Sequence, residues 1–83
     1  MERTDILQRL DELFEDTLGN GPTHLREDTT AREVEDWDSL NHVQLVYAIE
    51  QDFHIEFNAI EVQTWKNVGQ MITSIRQKLG EAD

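Results

Sequence analysis

The chain has 83 residues, a formal net charge of −11 and no cysteine. That length is enough for one domain, spanning 1–83, with a modest core that buries about 60% of its unfolded surface. The charge argues against nucleic acid or an anionic membrane as partner and for proteins with basic patches, and the missing cysteines exclude disulfides and thiolate metal sites.

The N-terminal segment carries Ile6, Leu7, Leu10, Leu13, Phe14 and Thr17 at helical spacing, with Thr4 as the expected cap and Asp5 well placed for the helix dipole. Gly19-Asn20-Gly21-Pro22 stops this helix, because glycine accepts the left-handed conformation and proline cannot continue the ladder. Residues 20–38 read as a long loop, and a loop of that length needs anchors. Leu25, Ala31 and Val34 are the aliphatic candidates, and Asp28-Thr29-Thr30 can make a local turn through its side-chain oxygens.

A second helix is expected over about 39–53, with Asp38 or Ser39 as N-cap and Leu40, Val43, Val46, Tyr47 and Phe53 as its stripe, widened by Leu45 and Ile49. A serine there sits at the positive end of a helix dipole, a ready place for a phosphate. Phe53, Ile55 and Phe57 then alternate with polar residues as a short extended link. Asn58 with Glu61 forms a capping box for a short third helix, and Asn67 with Gln70 repeats the pattern for the last one. Val68, Met71, Ile72, Ile75 and Leu79 make the buried stripe of that last helix, and Gly80 ends it. The expected fold is all-α: a small four-helix bundle of three longer helices and one short one, with a long loop between the first two.

Asp36-Trp37-Asp38-Ser39-Leu40-Asn41-His42 opens the second helix, and the Asp38-Ser39-Leu40 triplet in that position resembles the signature of acyl carrier proteins. The resemblance extends from the first helix to the last and, through Trp37 and Asn41-His42, leans toward stand-alone carriers of specialised pathways. It implies a 4'-phosphopantetheine arm joined to Ser39 by a phosphodiester, with Asp38, Leu40 and Trp37 beside it. With no cysteine in the chain, the thiol of a thioester carrier has to come from such a group. The arm would arrive from coenzyme A through a phosphopantetheinyl transferase and carry acyl, polyketide or aminoacyl cargo, sheltered in the bundle between partner enzymes. Under the resemblance the protein catalyses nothing itself.

Every Lys and Arg lies at 3, 9, 26, 32, 66, 76 or 78, so the span 33–65 holds eight acids and no fixed positive charge. That concentration speeds the approach of loading and downstream enzymes with basic docking patches. Asp36, Asn41, His42, Gln44, Glu50 and Asp52 are the expected partner-facing residues. Asn41 and Gln44 stand where fatty-acid carriers usually have acids, and Asp36 stands where the family usually has glycine. Trp37 fits either a guide for the arm or an anchor over the helix end, His42 either a plain surface histidine or a phosphate contact. Trp65 reads as packing ahead of an acyl contact, Tyr47 as a core-edge residue with its hydroxyl in water or a residue lining the entrance for an acyl chain, and His24 and His54 have no partner pattern.

Two other functions fit less well. Asp38, Ser39 and His42 contain the residue types of a hydrolase triad, but adjacent helical residues do not face each other. No window supplies the alternating oxygens and central glycine of a calcium loop, and no metal site is expected. The alternative from another class is an unmodified acidic helical adaptor that binds basic proteins. No run reaches transmembrane length and no signal-peptide core is visible, so a cytoplasmic, monomeric protein is the expectation.

Overall fold

The structure is a computed structural model that describes residues 1–19 and 21–80. Among the described residues it contains four α-helices: α1 Arg3–Leu18, α2 Ser39–Phe53, α3 Ala59–Thr64 and α4 Val68–Lys78. A single 3-10 turn, Ala31–Glu33, interrupts the long connection between α1 and α2. No strand occurs among the described residues, and no described helix is long and apolar enough to cross a membrane.

Ile6, Leu10, Leu13 and Phe14 form the buried face of α1, as their spacing requires. The helix starts earlier than expected. Its N-cap is Glu2 rather than Thr4, and the Glu2 carbonyl accepts from Asp5 and Ile6 with no side-chain cap. Gly19 closes it in the left-handed region at φ 72° and donates to the Glu15 carbonyl, while Asn20 of the expected stop lies outside the described residues. Val68, Met71, Ile72 and Ile75 of α4 pack into the same core, with Leu79 half-buried at its edge.

The loop is held by specific bonds. Asp11 of α1 accepts from the Thr23 hydroxyl and the Leu25 amide, and Leu25 is buried beneath. Further along, the carbonyls of Glu27 and Thr29 accept the amides of Gly69 and Val68 at 2.7 and 3.0 Å, filling two of the donor groups that a helix start leaves open. Gly69 permits that approach, since a Cβ there would sit 3.0 Å from the Glu27 oxygen. The Arg3 guanidinium joins the same junction, reaching Glu27, Thr73 and the Gly69 carbonyl. Val34 is buried as expected, but Ala31 is exposed, because the 3-10 turn points it outward while Thr29 takes the interior place.

The stripe expected on α2 is corrected in part. Leu45, Ile49 and Phe53 are the buried residues, whereas Leu40, Val43 and Tyr47 are 71%, 67% and 64% exposed. Apolar residues lie on two faces of this helix, so spacing alone does not say which one turns inward. The face that turns inward is the one whose Leu45, Ile49 and Phe53 join the core, and the Arg9–Asp52 ion pair across α1 and α2 and the His42 contacts described below accompany that rotation. At the far end His54 caps α2 at φ 58°, and the Glu50 carboxylate accepts the Phe57 amide at 2.7 Å, which shapes the link to α3. The capping box of Asn58 and Glu61 is complete. At α4 Asn67 accepts from the Gln70 amide, but the Gln70 side chain reaches back to Lys66 instead of to Asn67.

Candidate functional site

The start of α2 is built by Asp36, Asp38, Ser39 and Asn41. Asp36 adopts φ 66°, a left-handed turn that a short polar side chain tolerates, and Asn41 Nδ2 braces it by donating to the Asp36 carbonyl at 2.7 Å. Asp38 is the N-cap, with its carboxylate accepting the Asn41 amide at 2.9 Å. Ser39 follows as the first helical residue. It is exposed, and its hydroxyl has no hydrogen-bond partner among the described residues.

Beside Ser39 an open groove of about 550 Å³ runs between α2 and α3, lined by Trp37, Ser39, His42, Val43, Val62 and Trp65, with Lys66 as its fixed positive charge. His42 is not a plain surface residue. Its Nδ1 accepts from Trp37 Nε1 at 2.9 Å and its Nε2 lies 3.1 Å from the Val62 carbonyl, which it can only reach as a donor. The Nε2–H tautomer is the one that serves both contacts. Trp37 meanwhile packs edge-on against Phe14 at 4.9 Å, which makes it an anchor over the helix end. Trp65 packs edge-on on Phe57 at 4.9 Å and donates to Ser74 at 2.8 Å, in keeping with a packing role.

The residue types of a hydrolase triad meet here without forming one. Asp38 is committed to its cap and both nitrogens of His42 to Trp37 and Val62, so neither reaches Ser39 as a general base. Among the described residues no three His, Asp or Glu side chains assemble into a metal site.

The residues singled out as partner-facing divide into two groups. Gln44 and Asp36 are exposed, as are Leu40, Val43 and Tyr47, which form an apolar patch next to Ser39. Asn41, His42, Glu50 and Asp52 are instead half-buried and engaged within the fold. Hydrogen bonds from Arg9 hold the Asp52 carboxyl below the ordinary range against the opposing effect of burial, and Asp52 in turn raises the Arg9 guanidinium. A hydrogen bond from Lys78, with the Asn58 amide second, lowers Glu61 in the same way. Nothing in the residue pattern marked the Trp37–His42–Val62 bridge, because a residue before a helix and one in its first turn meet only once the cap sets the angle between them.

No family model matches the sequence. Two solved structures are similar to it over nearly the whole length. The solution NMR structure of a holo acyl carrier protein from Geobacter metallireducens is 31% identical, covers 89% of this chain and 85% of its own, and superimposes with a TM-score of 0.82. The crystal structure of an acyl carrier protein from Thermotoga maritima is 25% identical, covers 100% of this chain and 96% of its own, and gives a TM-score of 0.86.

Proposed function

This chain belongs to the acyl carrier protein family, and we propose that it is a discrete carrier that bears a 4'-phosphopantetheine arm on Ser39. The protein is a carrier and not an enzyme. The observation that carries the assignment to Ser39 is local: an exposed hydroxyl at the first position of α2, directly after the Asp38 cap and beside an open groove. The residues fit the group, since Ser39 is exposed and the neighbouring backbone amides belong to a helix start that favours a phosphodiester anion.

The arm would supply a terminal thiol that holds cargo as a thioester, chemistry that a chain without cysteine lacks. In loading, Ser39 Oγ attacks the pantetheine-bearing phosphorus of coenzyme A. The bond to the adenosine-side phosphate breaks, adenosine 3',5'-bisphosphate leaves, and the serine proton passes to a base of the phosphopantetheinyl transferase. Asp38 and Asn41 keep the hydroxyl at a fixed point by holding the turn, while Leu40, Val43 and Tyr47 offer the apolar part of a docking face to the transferase and to the enzymes that load and unload cargo. Asp36 and Gln44 border that face. The carrier acts as a single domain and a monomer in the cytoplasm under this reading.

Intact mass after incubation with coenzyme A and a broad-specificity phosphopantetheinyl transferase tests the assignment. The expected result is a gain of one phosphopantetheinyl group, absent in Ser39→Ala. A folded sample that gains nothing while a known carrier is converted alongside would leave the acidic adaptor as the better reading.

A further inference from the structure

The groove beside Ser39 lies between α2 and α3, and the aromatic side chains of Trp37, His42 and Trp65 are part of its lining. Phe14, Trp37, His42, Trp65 and Phe57 form a continuous chain of ring contacts, with centroid separations of 4.9, 6.0, 6.0 and 4.9 Å in that order. Hydrogen bonds lock the middle of the chain at both edges of the His42 ring, to Trp37 at 2.9 Å and to Val62 of α3 at 3.1 Å. The Trp65 indole is tied in turn to Ser74 of α4. Trp37 and Trp65 pack against the core, in which Leu45, Ile49, Met71 and Ile72 have no exposed surface. The groove lining also includes the polar side chains of Asp38, Gln63 and Lys66 as well as Ser39 itself.

Resting on the reading that Ser39 bears the arm, we infer that the Trp37–His42–Trp65 wall is a specificity device that keeps thioester cargo out of the bundle, and that the cargo is a short polar acyl unit held in the outer groove. An alkyl chain entering the core has to part His42 from Trp37 or from Val62. Either step strands a half-buried donor or acceptor, and such groups are costly when left unmade. A short hydroxylated or carboxylated acyl unit has little to gain from the core and finds Gln63 and Lys66 outside it. His42 is therefore the specificity-determining residue, because a single imidazole spans the gap between the loop and α3.

Loading from coenzyme A thioesters separates the two levels of the argument. The protein is charged by a phosphopantetheinyl transferase with 3-hydroxybutyryl or dodecanoyl arms, and intact mass establishes the charge. Methyl resonances of Ile49 and Ile72, the indole resonances of Trp37 and Trp65, and the thermal midpoint are then compared between the two loaded forms. The expected result is that core methyls and midpoint do not depend on chain length in the wild type. In His42→Ala the dodecanoyl form is expected to shift the Ile49 and Ile72 methyls. His42→Gln keeps an acceptor toward Trp37 and a donor toward Val62, and is expected to behave as wild type. Dodecanoyl-dependent shifts of the core methyls in the wild type would overturn the inference while leaving the carrier assignment standing. Absence of such shifts in His42→Ala would overturn the role given to His42, and no mass gain at all would remove the carrier reading beneath both.

Discussion

At the scale of single residues, backbone conformation decides two positions on which side-chain chemistry is silent. Asp36 holds φ 66°, in the left-handed region that costs a residue with a Cβ roughly 1–2 kcal/mol, and Asn41 braces it through the Asp36 carbonyl. Asp36→Val is expected to lower stability by about 1–2 kcal/mol in urea unfolding, because a β-branched side chain tolerates that region worst. Asp36→Gly, the residue that carriers of this family usually have there, should escape that penalty. Equal midpoints for the valine and glycine variants would contradict the account. Gly69 presents the opposite case. Alanine usually improves a helix over glycine by about 1 kcal/mol. Here its Cβ would press on the Glu27 oxygen at 3.0 Å and disturb the 2.7 Å bond that ties the loop to α4. Gly69→Ala is thus expected to destabilise, and a rise in thermal midpoint would show that the loop yields instead.

At the scale of elements, the sequence made the existence of the helices and most of their ends readable, since these depend on local signals. It misplaced the start of α1, where Glu2 caps through its backbone alone. Asp38, Asn58 and Asn67 announce three helix starts by side-chain caps, and α3 and α4 begin where those caps place them. What local signals do not carry is rotation about a helix axis. With Leu40, Val43 and Tyr47 on one side of α2 and Leu45, Ile49 and Phe53 on another, the choice falls to contacts distant in sequence. The same limit hid half of the site. The place of Ser39 at the start of α2 was legible, whereas the occupation of Glu50 by Phe57 and of Asp52 by Arg9 was not. The Arg9–Asp52 pair predicts a pH signature. Asp52 has a folded pKa below its unfolded value, so its contribution is present above the unfolded value, near pH 4, and is lost as pH falls through the lowered folded value. Asp52→Asn should therefore lower the thermal midpoint at pH 7 and make no difference once both carboxyl values are passed. A gap between wild type and Asp52→Asn that persists at the acid end would mean that Asp52 acts through packing and not through charge.

At the scale of the whole molecule, the proposed docking divides between a net charge of −11, which would set how partners arrive, and the apolar patch, which would set whether they stay. Long-range attraction from the acids raises the rate of encounter with basic surfaces and fades as salt shortens the Debye length. Several of the acids near α2 are already engaged in the fold, so charge reversal at Glu50 or Asp52 would disturb the α2–α3 link or the α1–α2 contact and report on folding before docking. Val43 is the better probe. It is 67% exposed, lines the groove beside Ser39, and belongs with Leu40 and Tyr47 to the exposed apolar patch that is proposed as the docking face. Exposed substitutions usually change stability by no more than about 0.5 kcal/mol, whereas loss of a central interface contact costs upwards of ~1 kcal/mol of binding. Val43→Asp is therefore expected to keep the thermal midpoint and to lower kcat/KM for transfer of the arm to Ser39 roughly fivefold to tenfold. Raising salt should slow the wild type and the variant by similar factors, because the variant leaves the long-range field almost unchanged. Transfer to Val43→Asp at the wild-type rate would take the apolar patch out of the docking face and leave charge as its whole basis.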